Sequence, residues 1–194
     1  MRANLPNQLT LSRVFLGLLF CFFVLQGGLV YLSLAALTVV AAFISDLLDG
    51  HLARRWRVVS HFGICFDPVV DKVFVLSAFA ALVALPKSNL PVFPLILIMM
   101  RELLVLGLRV ILLVSSSGLL PAERFGKIKA AIQFSLILAV NLALLGGAPP
   151  KTHEHLGTAF WLVGFLTVIS GIPYFWKNRE ALRRAWASST KKQN

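Results

Sequence analysis

All four aspartates of this 194-residue chain fall within one stretch of 26 residues, as Asp46, Asp49, Asp67 and Asp71. They form two pairs, three and four residues apart. On a helix, either spacing puts two side chains on one face. A chain reversal between the pairs would set the two faces opposite each other. Four carboxylates gathered in this way repel one another strongly unless something compensates. Hard oxygen ligands in that number suit Mg2+, Mn2+ or Ca2+. Each residue also has a plainer reading. Asp67 precedes Pro68, the pattern of a helix N-cap with proline at the first helical position. Asp46 or Asp49 alone could pair with Arg54 or Arg55. Gly50 reads either as a helix terminus or as a gap through which a bulky ligand nears the backbone.

The elements that must position these groups are apolar. Hydrophobic residues make up 58% of the chain and charged residues only 14%. A soluble domain carries about a quarter charged residues. The apolar residues cluster in runs near the roughly 20 residues that a helix needs to cross a bilayer. Six spans are predicted, over 9–25, 29–48, 69–85, 91–113, 128–145 and 156–175. The expected fold is an all-α integral membrane bundle of six transmembrane helices with a cytoplasm-facing metal site. Residues 1–176 form its membrane domain and 177–194 a basic cytoplasmic tail.

Charge sets the expected topology. Arg2, Arg13, Arg54, Arg55, Arg57, Arg124, Lys127, Lys129 and the basic tail fall at one set of span ends. Only Lys87 and Lys151 fall at the other. The positive-inside rule then makes both termini cytoplasmic. The net charge of +11 is spread at span ends, where it meets lipid headgroups, so nucleic acid is not an expected partner. Cys21 and Cys65 have neither disulfide-framework nor zinc spacing. Polar residues from Asn4 to Arg13 interrupt the first apolar run, so that span is expected to stay in the mature protein. The four histidines read as interfacial. Four acidic groups in a six-span bundle would also suit a divalent-cation transporter. Such sites usually lie near the midplane of an inverted repeat. Here the carboxylates lie at one membrane face beside arginines, and no repeat is seen.

Asp46, Asp49, Gly50, Ala53, Arg54, Gly63, Asp67 and Asp71 meet every spacing of the pattern D-x2-D-G-x2-A-R-x8-G-x3-D-x3-D. In this the chain resembles the CDP-alcohol phosphatidyltransferases, a family of six-helix membrane enzymes that are generally dimeric. The resemblance implies two Mg2+ or Mn2+ ions held by Asp46, Asp49, Asp67 and Asp71, with Asp71 also the general base. It implies contacts from Gly50, Ala53, Arg54 and Ser60 to a CDP-diacylglycerol substrate, with Asn7 and Thr10 lining the nucleotide pocket.

Outer motifs look like those of bacterial members that use glycerol 3-phosphate as acceptor. They include the opening from Asn4 to Arg13, Arg101-Glu102, Leu108-Arg109, Gly126 to Lys129, and Ser170-Gly171 with Tyr174. Val110 and Ile111 stand where such members often carry an acidic-aromatic pair. Arg101 lies mid-span, where a charge is costly without a purpose. With Arg109, Lys127 and Lys129 it makes the expected anion site for that acceptor. Snorkelling alone would also place the two lysines there. Another acceptor, as in cardiolipin, phosphatidylserine or inositol-lipid synthesis, is the alternative within the family. The expected setting is the inner (plasma) membrane, with a homodimer facing the cytoplasm.

Overall fold

The computed structural model describes residues 5–56, 61–114, 124–180 and 183, with side chains described over 12–47, 70, 72–111, 128–176, 178–180 and 183. It contains six helices: α1 Leu5–Gln26, α2 Leu29–Trp56, α3 His61–Ala84, α4 Val92–Val114, α5 Arg124–Leu145 and α6 Pro150–Lys177. Among the described residues there is no strand.

Among the described residues, three helices are long and apolar enough to cross a membrane, over Leu29–Leu47, Ile128–Leu145 and Pro150–Trp176. Shorter apolar stretches occupy Ser12–Gln26 and Lys72–Ala84. The fourth helix is apolar over most of its length but carries Arg101, Glu102 and Arg109. It spends this polarity inside the bundle, because Glu102 is buried and Arg101 and Arg109 are half-buried.

Among the described residues, short turns join α1 to α2, α3 to α4 and α5 to α6. Gly27 and Gly28 link α1 to α2 with φ of +67° and +81°, values that suit glycine. A single 3-10 turn over Pro86–Ser88 leads towards α4. There the buried Ser88 hydroxyl donates to the carbonyls of Leu82 and Leu85 and accepts from the Leu90 amide. The last helix begins earlier than the predicted 156. Pro149 is extended at its N-cap and Pro150 opens the first turn, where a missing N–H costs nothing. The prolines that break the chain thus also start the helix.

Packing follows from these turns. The first helix lies along both α2 and α3, α2 packs on α5, α5 on α6, and α6 on α4. Rings tie the layers together. Phe74 of α3 stacks on Phe134 of α5 with centroids 5.3 Å apart, while Phe20 of α1 and Phe43 of α2 flank them at 6.1 and 5.5 Å. Buried Asn141 of α5 donates to the Leu32 carbonyl of α2, the type of polar link that holds helices together in lipid. Because successive helices alternate in direction, the starts of α1, α3 and α5 gather with the ends of α2, α4 and α6. That end carries the aspartates.

Candidate active site

At the aspartate end, Asp46 stands on α2 and accepts from Arg13 of α1 through Oδ1, at 3.3 Å from Nη1. The arginine side chain is 5% exposed and the aspartate 34%. The second helix continues through Asp49, Gly50, Ala53 and Arg54 to Trp56. Gly50 therefore does not end it, and that reading is corrected. The third helix starts at His61 and carries Gly63, Asp67 and Asp71. Asp67 is thus well inside a helix rather than at its N-cap. Helix-interior proline, here Pro68, is tolerated in apolar bundles where neighbours satisfy the freed carbonyl.

Asp46 and Asp49 therefore stand one turn apart on α2, and Asp67 and Asp71 one turn apart on α3. The side chains of Asp49, Asp67, Asp71, Gly50, Ala53, Arg54, Asn7, Thr10 and Lys127 lie outside those described, and Ser60 lies outside the described residues altogether. Among the described residues no three His, Cys, Asp or Glu side chains gather as a metal site.

A second charged cluster is complete. Glu102 of α4 has a side chain only 3% exposed. Its Oε1 accepts from Lys129 of α5. Its Oε2 lies 3.3 Å from Arg101 Nη1 and 3.4 Å from Lys72 Nζ of α3. One carboxylate thus joins cations from three helices. Arg101 also donates through Nη2 to the Ser170 hydroxyl of α6, at 3.4 Å, and that hydroxyl donates to the Thr167 carbonyl.

Arg101 fits because Gly171 has no side chain. A Cβ there would sit 3.1 Å from Arg101 Nε and 3.2 Å from its Cγ. Two turns nearer the aspartate end, Arg109 donates to the Tyr174 hydroxyl at 3.1 Å and lies 5.8 Å from the ring centroid. The pairing of Ser170-Gly171 with Tyr174 thereby has a physical meaning. One hydroxyl receives Arg101, one glycine makes room for it, and one phenol receives Arg109.

Of the expected anion site, Arg101 and Lys129 come together on one carboxylate, and Arg109 stands further along α4, bonded to α6 as Arg101 is. Sequence reading offers Glu102 as a structural partner of Arg101, which the 3.3 Å pair bears out, but misses Lys72, which follows Asp71. Gln133, one turn beyond Lys129, is buried with its amide nitrogen unpartnered among the described residues, as is the Thr167 hydroxyl. A lone Gln or Thr in an apolar run was the available signal for these. Near the start of α6, His153 is buried and His155 exposed.

The family model described as CDP-alcohol phosphatidyltransferase matches residues 3–172. Three relatives share the name CDP-diacylglycerol--glycerol-3-phosphate 3-phosphatidyltransferase. The Rickettsia typhi protein is 36% identical over 176 residues, covering 89% of this chain and 95% of its own. The Bacillus subtilis protein is 35% identical over 195 residues, covering 93% and 97%. The Mycoplasma pneumoniae protein is 33% identical over 194 residues, covering 84% of each.

Proposed function

Because the chain belongs to the CDP-alcohol phosphatidyltransferase family, we propose that it transfers the phosphatidyl group of CDP-diacylglycerol to glycerol 3-phosphate, giving phosphatidylglycerophosphate and CMP. The observation that carries the acceptor is the gathering of Lys72, Arg101 and Lys129 about one buried carboxylate. A neutral alcohol would not need such a surplus of positive charge.

The reaction is a displacement at phosphorus. The acceptor hydroxyl forms a new P–O bond to the phosphate that bears diacylglycerol. The P–O bond to CMP breaks, and the hydroxyl proton leaves. Asp71 takes that proton. Arg54 holds the diphosphate, for which a permanently charged bidentate fork is suited. Gly50, Ala53 and Ser60 line the cytidine diphosphate site, with Asn7 and Thr10 at its edge. Arg101, Arg109, Lys127 and Lys129 receive the acceptor's phosphate and thereby orient its hydroxyl.

Asp46, Asp49, Asp67 and Asp71 would hold two Mg2+ or Mn2+ ions. The donor set fits, being all carboxylate, and a third of the Asp46 side chain stays open beside its contact with Arg13. Such ions, when bound, neutralise charge on the phosphate oxygens and acidify a nearby hydroxyl.

The chain works as a six-span protein of the inner (plasma) membrane, with both termini and the active site cytoplasmic, and as a homodimer. CMP release by the purified protein in detergent tests the activity, with CDP-diacylglycerol and candidate acceptors supplied singly. Release with glycerol 3-phosphate alone supports the reading. Release only with glycerol, inositol, serine or phosphatidylglycerol would replace the acceptor.

A further inference from the structure

We propose that Glu102 is the positioning residue for the acceptor's phosphate: it holds the cationic heads of Lys72, Arg101 and Lys129 together as one dianion-sized charge surplus. This rests on the acceptor reading above and goes beyond it, because Glu102 is itself acidic and cannot contact the phosphate as a cation does.

One counter-ion of good geometry compensates a buried carboxylate only where hydrogen bonds meet its remaining lone pairs. Glu102 has three counter-ions, from α3, α4 and α5, and its side chain is 3% exposed. Among the described residues, three positive charges against one negative leave a surplus of two. In a poorly solvated interior, like charges at this range repel strongly. The carboxylate is therefore what keeps the three heads within reach of one another. A phosphate monoester carries roughly −1.5 to −2 at neutral pH, which closes the surplus. A phosphodiester headgroup, with a single charge, does not.

Donor capacity is also left over in this part of the bundle. Among the described residues, Arg101 Nε, Gln133 Nε2 and the Thr167 hydroxyl are buried without a partner. Gln133 stands one turn from Lys129, and Thr167 one turn from Ser170, which Arg101 contacts. Unpartnered buried donors are costly, by about 1–3 kcal/mol each. A polyol phosphate bound here would supply oxygens to meet them. The site thus selects a small phosphorylated alcohol by net charge as well as by contact.

Glu102→Gln keeps the size and removes the charge. The acceptor KM should rise by about tenfold or more, while the KM for CDP-diacylglycerol and kcat at saturating acceptor stay within about threefold. Glu102→Asp keeps the charge on a shorter stem and should fall between. A merely structural role would move all three parameters together.

A second readout is thermal unfolding in detergent with glycerol 3-phosphate or with glycerol. The unaltered protein should be stabilised by the phosphate alone, and Glu102→Gln should lose that stabilisation. A wild-type acceptor KM in Glu102→Gln, with wild-type stabilisation, would overturn the proposal and leave the reaction intact. If Glu102→Gln does not fold, a wild-type acceptor KM in Glu102→Asp overturns it equally. Glycerol 3-phosphate that neither stabilises the unaltered protein nor supports its turnover would instead remove the acceptor reading, and this proposal with it.

Discussion

Arg13 of α1 and Asp46 of α2 are paired across the helix interface at 3.3 Å, with the arginine buried and the aspartate a third exposed. The pair orients a carboxylate that the proposed chemistry needs. Asp46→Asn should lower turnover by at least about a thousandfold, since both its charge and its ligand role are lost. Arg13→Met should lower stability by about 1–2 kcal/mol, less than for a fully buried pair because Asp46 is partly solvated. CMP release and thermal unfolding, measured on the same samples, separate the two effects.

Gly171→Ala places a methyl group 3.1 Å from Arg101 Nε and 3.2 Å from its Cγ. The arginine must then move by a few tenths of an ångström. Acceptor KM should rise by roughly three- to tenfold with little change in the KM for CDP-diacylglycerol. Equal changes in both would place Gly171 in general packing instead.

Tyr174→Phe deletes the hydroxyl that receives Arg109 and keeps the ring beneath the guanidinium. The loss should be about 1 kcal/mol, seen as a several-fold rise in acceptor KM. Tyr174→Ala should cost more, because this ring also packs with Val105 and Leu108. An equal effect from both variants would show that the hydroxyl carries the role.

Chelation should abolish CMP release, and added Mg2+ or Mn2+ should restore it. Asp67→Asn and Asp71→Asn should remain inactive at any metal concentration while the protein stays folded and inserted. Near wild-type activity in either variant would remove the metal-site reading.

Phe134→Ala removes the ring that stacks on Phe74 and meets Phe43. It should lower stability by about 3–5 kcal/mol, measured by unfolding in detergent.

Local spacing made much of this legible. Apolar runs give the helices, breakers give the turns, and the aspartate pairs stand one turn apart on α2 and α3 as their spacing predicts. Helix ends were less legible. The Asp67-Pro68 dipeptide reads as a start, yet α3 begins at His61. Burial among apolar helices outweighs the cost of an internal proline there. Least legible was Glu102. Its neighbour Arg101 is adjacent in sequence, but Lys72 and Lys129 reach it from other helices, and no spacing rule links such distant residues. Only the packing of α3 and α5 against α4 and α6 brings them together.

The first helix lies along both α2 and α3, and among the described residues those two touch each other far less. Where α1 meets α3, a Cβ at Gly17 would sit 3.1 Å from Ser77 Oγ and 3.5 Å from Phe74 Cα. The helix therefore acts as a spacer gauge. The gap between the two carboxylate-bearing helices is set by the girth of an element that carries none of the four aspartates. A bulkier residue at position 17 would widen that gap like a shim, detuning the aspartate end from one to two helical turns away.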